Sequence, residues 1–73
     1  MAKAHIKFRT DTPVDLENVT AITIVAANGT ATTLQDKDFV KFFLHESHSY
    51  IFTTPETVFS VTGKDIAHVT ISR

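Results

Sequence analysis

The dipeptide Asn28-Gly29, set between TAITIVAA and TATTLQ, constrains this chain more than any other feature. Those are the residue types that a two-residue hairpin turn requires where φ is positive. Such a turn sets Ala27 opposite Thr30, Val25 opposite Thr32 and Thr23 opposite Leu34, with Ile24 meeting Thr33 on the other face. The stretch from Val19 to Ala27 carries apolar or small residues on both faces, which suits a central strand. The return from Thr30 to Gln35 is rich in threonine and reads as peripheral.

Other segments are placed by their periodicity. Lys3 to Arg9 alternates strictly, with Ala4, Ile6 and Phe8 on one side and Lys3, His5, Lys7 and Arg9 on the other, as in a strand with one wet face. Thr10 to Asn18 contains Thr12-Pro13 and the acids Asp11, Asp15 and Glu17, and reads as a loop. The segment Asp36 to Ser47 fits either a buried strand or a helix. Helical spacing gathers Lys37, Lys41, His45 and His48 opposite a broad arc of Phe39, Val40, Phe42, Phe43 and Leu44, with Asp36 or Asp38 as a cap, and predicts a helix. Tyr50 to Thr54 and Thr57 to Thr62 flank Pro55-Glu56, a second hairpin. After Gly63-Lys64-Asp65, the run Ile66 to Ser72 closes as a strand with Ala67, Val69 and Ile71 inward and His68, Thr70 and Ser72 outward. The expected fold is α+β: a small antiparallel sheet of about six strands, ordered βββαβββ, with one short helix on a sheet face. An all-β small barrel or roll is the alternative.

A chain of 73 residues gives one small domain, and the absence of cysteine leaves packing, hydrogen bonding or self-association to stabilise it. A hydrophobic fraction of 42% with six phenylalanines excludes a disordered tail. No segment approaches the roughly 20 apolar residues that span a bilayer, and the amino-terminal MAKAHIKFR has no signal-like run, so a soluble cytoplasmic protein with no membrane association is expected. Asn18-Val19-Thr20 and Asn28-Gly29-Thr30 match the glycosylation sequon but read as turn chemistry.

The residues that could carry chemistry form no strong motif, and no catalytic residue, metal site or cofactor is assigned. Four histidines are present, but His45-Glu46-Ser47-His48 lacks the spacing of a zincin helix and has no third ligand. His5 and His68 approach one another only if the first and last strands pair. The carboxylates Asp11, Asp15 and Glu17 lack the pattern of a calcium loop, and Asp36 and Asp38 are ordinary at a helix start.

Two surfaces remain. Lys3, His5, Lys7 and Arg9 form a basic stripe at roughly the phosphate repeat, extended by Lys37, Lys41 and His45 if the helix lies beside it. The competing reading is that these charges protect an exposed strand from pairing with other chains. A formal net charge of −1 supplies no field for a polyanion, and Phe8 points away from the stripe, so nucleic acid is disfavoured as a partner. The second surface is aromatic. Phe39, Phe42, Phe43, Tyr50, Phe52 and Phe59 crowd a short segment; most of them read as core, with a partner patch made by one or two as the alternative, for which Phe42, Tyr50 and Phe52 are the candidates. The sequence therefore predicts a non-enzymatic interaction module that self-associates or binds a protein, with a nucleic-acid accessory domain as the alternative.

Overall fold

A computed structural model describes residues Ala2–Ser72, which form seven strands: β1 (Ala2–Phe8), β2 (Val14–Val19), β3 (Ala21–Val25), β4 (Ala31–Gln35), β5 (Ser49–Thr53), β6 (Val58–Thr62) and β7 (Ile66–Ser72). They make two antiparallel sheets, ordered β2-β1-β7 and β4-β3-β5-β6. The architecture is mainly β, nearer to the all-β alternative than to the expected α+β fold.

The inner faces of both sheets share one core. Ala2, Ala4, Ile6 and Val19 come from the first sheet and Ile22, Ile24, Leu34, Tyr50 and Phe52 from the second, with Phe39 and Ile66 completing it. Ile6, Val19, Ile22, Tyr50, Phe52 and Ile66 are fully enclosed. Each such side chain contributes about 1.5–3 kcal/mol, and in a chain this short those few residues dominate the apolar driving force. The alternation seen in Ala4 and Ile6 against Lys3, His5 and Lys7 is the alternation of the core and solvent faces of β1.

Four expectations need correction. The first hairpin is shifted by one residue: Val25 pairs with Ala31, Thr23 with Thr33 and Ile22 with Leu34. Within this turn only Gly29 takes a positive φ, at 90°. Gly29 N–H donates to Ala26 C=O at 2.9 Å and Ala26 N–H to Thr30 C=O at 2.8 Å, which is a three-residue loop closed by a glycine bulge. Asn28 acts through its side chain, whose Oδ1 accepts the Thr30 N–H at 2.9 Å. Because strand side chains alternate, this register brings Leu34 to the core beside Ile22.

Secondly, Val14–Val19 is a strand and not part of a loop. Its pairing with β1 slips between Ala2↔Val19 and Ala4↔Leu16, so that Glu17 and Asn18 together oppose Lys3. Asn18 absorbs the bulge with φ 59°. Immediately beyond it Thr20 N–H donates to Thr53 C=O at 2.8 Å and the chain continues as β3, so one stretch serves both sheets.

Thirdly, no α-helix forms over Asp36 to Ser47. Asp36–Lys41 is a 3-10 turn with Gln35 at its N-cap and no side-chain cap. Phe42 is already extended, with φ −64° and ψ 135°. Phe39 is buried and Phe42 and Leu44 half-buried, whereas Phe43 is exposed, the period of an extended chain. A helix is excluded on two grounds: the sheet face it would cover is occupied by the other sheet, and the Phe43 C=O and His45 N–H that it would use are bound to the Tyr50 hydroxyl. Fourthly, Ala67 is exposed while Ile66 is buried, because the β1–β7 register slips between Lys7↔His68 and Phe8↔Ile66.

The second hairpin has the expected form. Thr54 N–H donates to Thr57 C=O at 2.8 Å around Pro55-Glu56, and the Thr54 hydroxyl accepts the Thr57 N–H at 2.9 Å.

Candidate interaction surfaces

The basic stripe lies on the solvent face of β1, which is the central strand of its sheet and not an edge. Its charges therefore do not guard against strand addition. They face the acids of β2. Lys3 Nζ lies 3.6 Å from Glu17, and His5 Nδ1 lies 2.5 Å from Asp15 Oδ1, directly across the pair His5↔Asp15. The acids assigned to a loop are thus the cross-strand partners of the stripe. Both pairs are largely exposed and so are worth only a few tenths of a kcal/mol each. Their consequence is local: the Lys3 charge that a phosphate backbone would need is already matched by Glu17, and the His5 ring is engaged by Asp15.

Lys7 is exposed on the same face opposite His68, and Arg9 is exposed just past the strand, with its N–H bound to Asp65 C=O at 3.0 Å. Lys37 and Lys41 belong to the 3-10 turn after β4, in the other sheet, and Lys41 lies 3.7 Å from Asp38. The stripe and the turn thus lie on different sheets. A cleft between β2 and the Pro55-Glu56 turn is lined by Asp15, Glu17 and Glu56, which further disfavours a polyanion.

The histidines divide into two pairs. β1 and β7 do pair, and the His5 and His68 rings stand 6.3 Å apart. His45 and His48 face one another at 5.0 Å in a turn closed by His48 N–H to His45 C=O at 3.1 Å. Among the described residues no group of three or more histidine, aspartate or glutamate side chains is arranged to hold a metal ion.

The aromatic surface is relocated. Tyr50 and Phe52 are 0% exposed, because β5 lies between β3 and β6 and turns both side chains to the core. Phe42 is half-buried on them, its ring 5.1 Å from Tyr50 and 6.2 Å from Phe52. The Tyr50 hydroxyl donates to Phe43 C=O at 2.9 Å and accepts the His45 N–H at 2.8 Å, which holds the chain after the 3-10 turn against the core. Burial raises the pKa of this phenol above its usual 10.0, with the hydrogen bond from His45 partly opposing the shift. Among the described residues, the large apolar side chains that face solvent are Val40 at 83%, Val58 at 65% and Phe43 at 56%. Val40 and Phe43 lie in the segment expected to be helical, where a helical period hides them. Val58 begins an edge strand.

The sheet edges are the remaining surface, and sequence reasoning gave them no residues. Of the edge strands, β2 carries Asp15 and Glu17 and is protected by charge. The others, β4 (ATTLQ), β6 (VFSVT) and β7 (IAHVTIS), contain no aspartate, glutamate, lysine or arginine. No helix among the described residues is long and apolar enough to cross a membrane. No protein-family model matches the chain, and no curated protein or solved structure does either.

Proposed function

We propose that this chain is a small non-enzymatic interaction module that self-associates through a sheet edge. The observation that carries this reading is the contrast among its edges: acids guard β2, while β4, β6 and β7 present uncharged strands rich in threonine and valine. An unguarded edge offers unpaired N–H and C=O groups to another strand, and β-augmentation derives its affinity from those groups. The exposure of Val58 on one such edge adds apolar surface that a partner strand would cover.

Light scattering across a concentration series tests the reading. A mass that rises toward twice that of the chain supports it, and a strict monomer up to about 1 mM overturns it, since weaker association has little significance. A nucleic-acid role is tested by titration with generic single- and double-stranded DNA at low salt, where phosphate contacts are strongest; no binding is expected.

A further inference from the structure

We infer that the self-association surface is the free edge of β6, pairing antiparallel with β6 of a second copy about a two-fold axis at Ser60. This rests on the self-association reading and specifies its geometry.

The hydrogen-bond parity of β6 is settled at both ends. Thr57 C=O accepts from Thr54 N–H, and Gly63 N–H donates to His48 C=O at 2.7 Å. In an antiparallel pair, alternate residues turn both backbone groups toward the same neighbour. Thr57, Phe59, Val61 and Gly63 therefore bond toward β5, and Val58, Ser60 and Thr62 direct their N–H and C=O groups to the free edge. The side chains of these three residues are exposed. Along this edge runs an open cleft of about 400 Å³, lined by Phe8, Asp11, Phe59, Ser60, Val61 and Thr62. It offers an added strand half-buried apolar contacts from Phe59 and Val61.

A second copy fits because the strand is self-complementary. With Ser60 opposite Ser60, each exchanges both backbone bonds with the other, and Val58 meets Thr62 of the second copy at both ends. A two-fold contact is closed, so it stops at a dimer. No charge lies within the strand, so nothing repels its own copy. The same register brings Glu56, in the turn before β6, opposite Lys64, in the turn after it, twice over. Glu56 and Lys64 are both exposed, and no ion pair among the described residues engages them within one chain. Asp11 and Asp65 also line the cleft, so the charge match depends on Lys64. A five-residue edge makes a small interface, and a weak, concentration-dependent dimer is expected.

Disulfide trapping with the full chain tests the geometry, since the chain has no cysteine of its own. Opposed residues of a hydrogen-bonded pair have Cα atoms about 5.5 Å apart, within reach of a disulfide. Ser60→Cys is expected to form a covalent dimer at least about tenfold faster than Val58→Cys or Thr62→Cys alone, whose own copies lie roughly 13 Å apart along the strands. A mixture of Val58→Cys and Thr62→Cys chains is expected to cross-link as the heterodimer. Glu56→Lys should weaken the wild-type dimer about two- to fivefold, and the double exchange Glu56→Lys with Lys64→Glu should restore it. Ser60→Pro removes an N–H aimed at the free edge while sparing the bonds to β5, and is expected to give a folded monomer. If the wild type dimerises but Ser60→Cys cross-links no faster than the other two, the β6 register is wrong while self-association stands. A wild-type monomer at about 1 mM overturns both.

Discussion

Replacing Tyr50 by phenylalanine isolates two hydrogen bonds in an otherwise unchanged core. The ring still fills the space beside Phe42, but Phe43 C=O and His45 N–H both lose their partner. Each backbone group left unsatisfied costs about 1–3 kcal/mol, and partial burial of these bonds places each near the lower bound, so the loss is about 2 kcal/mol. A chain of 73 residues has roughly 4–11 kcal/mol in total, at about 0.05–0.15 kcal/mol per residue. With a urea slope near 1 kcal/mol/M, the midpoint should fall by about 2 M. The melting temperature should fall by roughly 8–16 °C. The His45 amide, protected in the wild type, should exchange rapidly in the variant. A midpoint shift below about 0.5 M with an unchanged slope would refute the reasoning, because it would mean that water already satisfies both groups. A second readout comes from pH. The folded-state pKa of Tyr50 is raised, so its contribution is fully present below about 10 and is lost as pH rises through the folded value. Tyr50 is the sole tyrosine and there is no tryptophan, so phenolate absorbance follows it directly. The stability gap between wild type and Tyr50→Phe should narrow in strongly alkaline solution.

Three further outcomes are expected. Gly63→Ala places a Cβ on the His45 carbonyl oxygen and 2.7 Å from that of His48, both backbone atoms that cannot swing aside, so it should cost about 2–4 kcal/mol in a urea titration. Asn18→Gly relieves a residue held at φ 59° and should be neutral or raise the melting temperature by a few degrees, whereas Asn18→Val should lower it by at least as much. Lys3→Ala removes an exposed pair with Glu17 and should change stability by less than about 0.5 kcal/mol, with the difference vanishing at 1 M salt.

The legible parts of the sequence are those where one local rule has no competitor. Ala4 and Ile6 against Lys3, His5 and Lys7 admit only a strand with one dry face, and Pro55-Glu56 between two apolar runs admits only a turn. The register at Asn28-Gly29 is ambiguous in the sequence because glycine supplies the positive φ in a two-residue turn and in a bulged three-residue loop alike. Leu34 held the missing signal: it is the one bulky apolar residue of the return strand, and only the shifted register pairs it with Ile22. β2 was concealed by Pro13 and its acids, although Val14 and Leu16 alternate with Asp15 and Glu17. Those acids read as loop chemistry until Lys3 and His5 are seen beside them. The helix over Asp36 to Ser47 failed for a non-local reason, since Tyr50 and the opposite sheet claim the groups it needs. The edges of the sheets depend on strand order, which no local pattern encodes.

The pairing of β1 with β7 has a consequence for synthesis. β1 is made well before Ile66–Ser72, which is one of its two neighbours, with Lys3 opposite Ser72. Loop closure between these two strands must be offset by contacts that form only once β7 has been made, the situation of a slow, high-contact-order fold. On the ribosome the four-stranded sheet can pair as its strands emerge. Ala4 and Ile6 must wait with one flank open until β7 is released, so a nascent chain stalled before Ile66 would be the most aggregation-prone form of this protein.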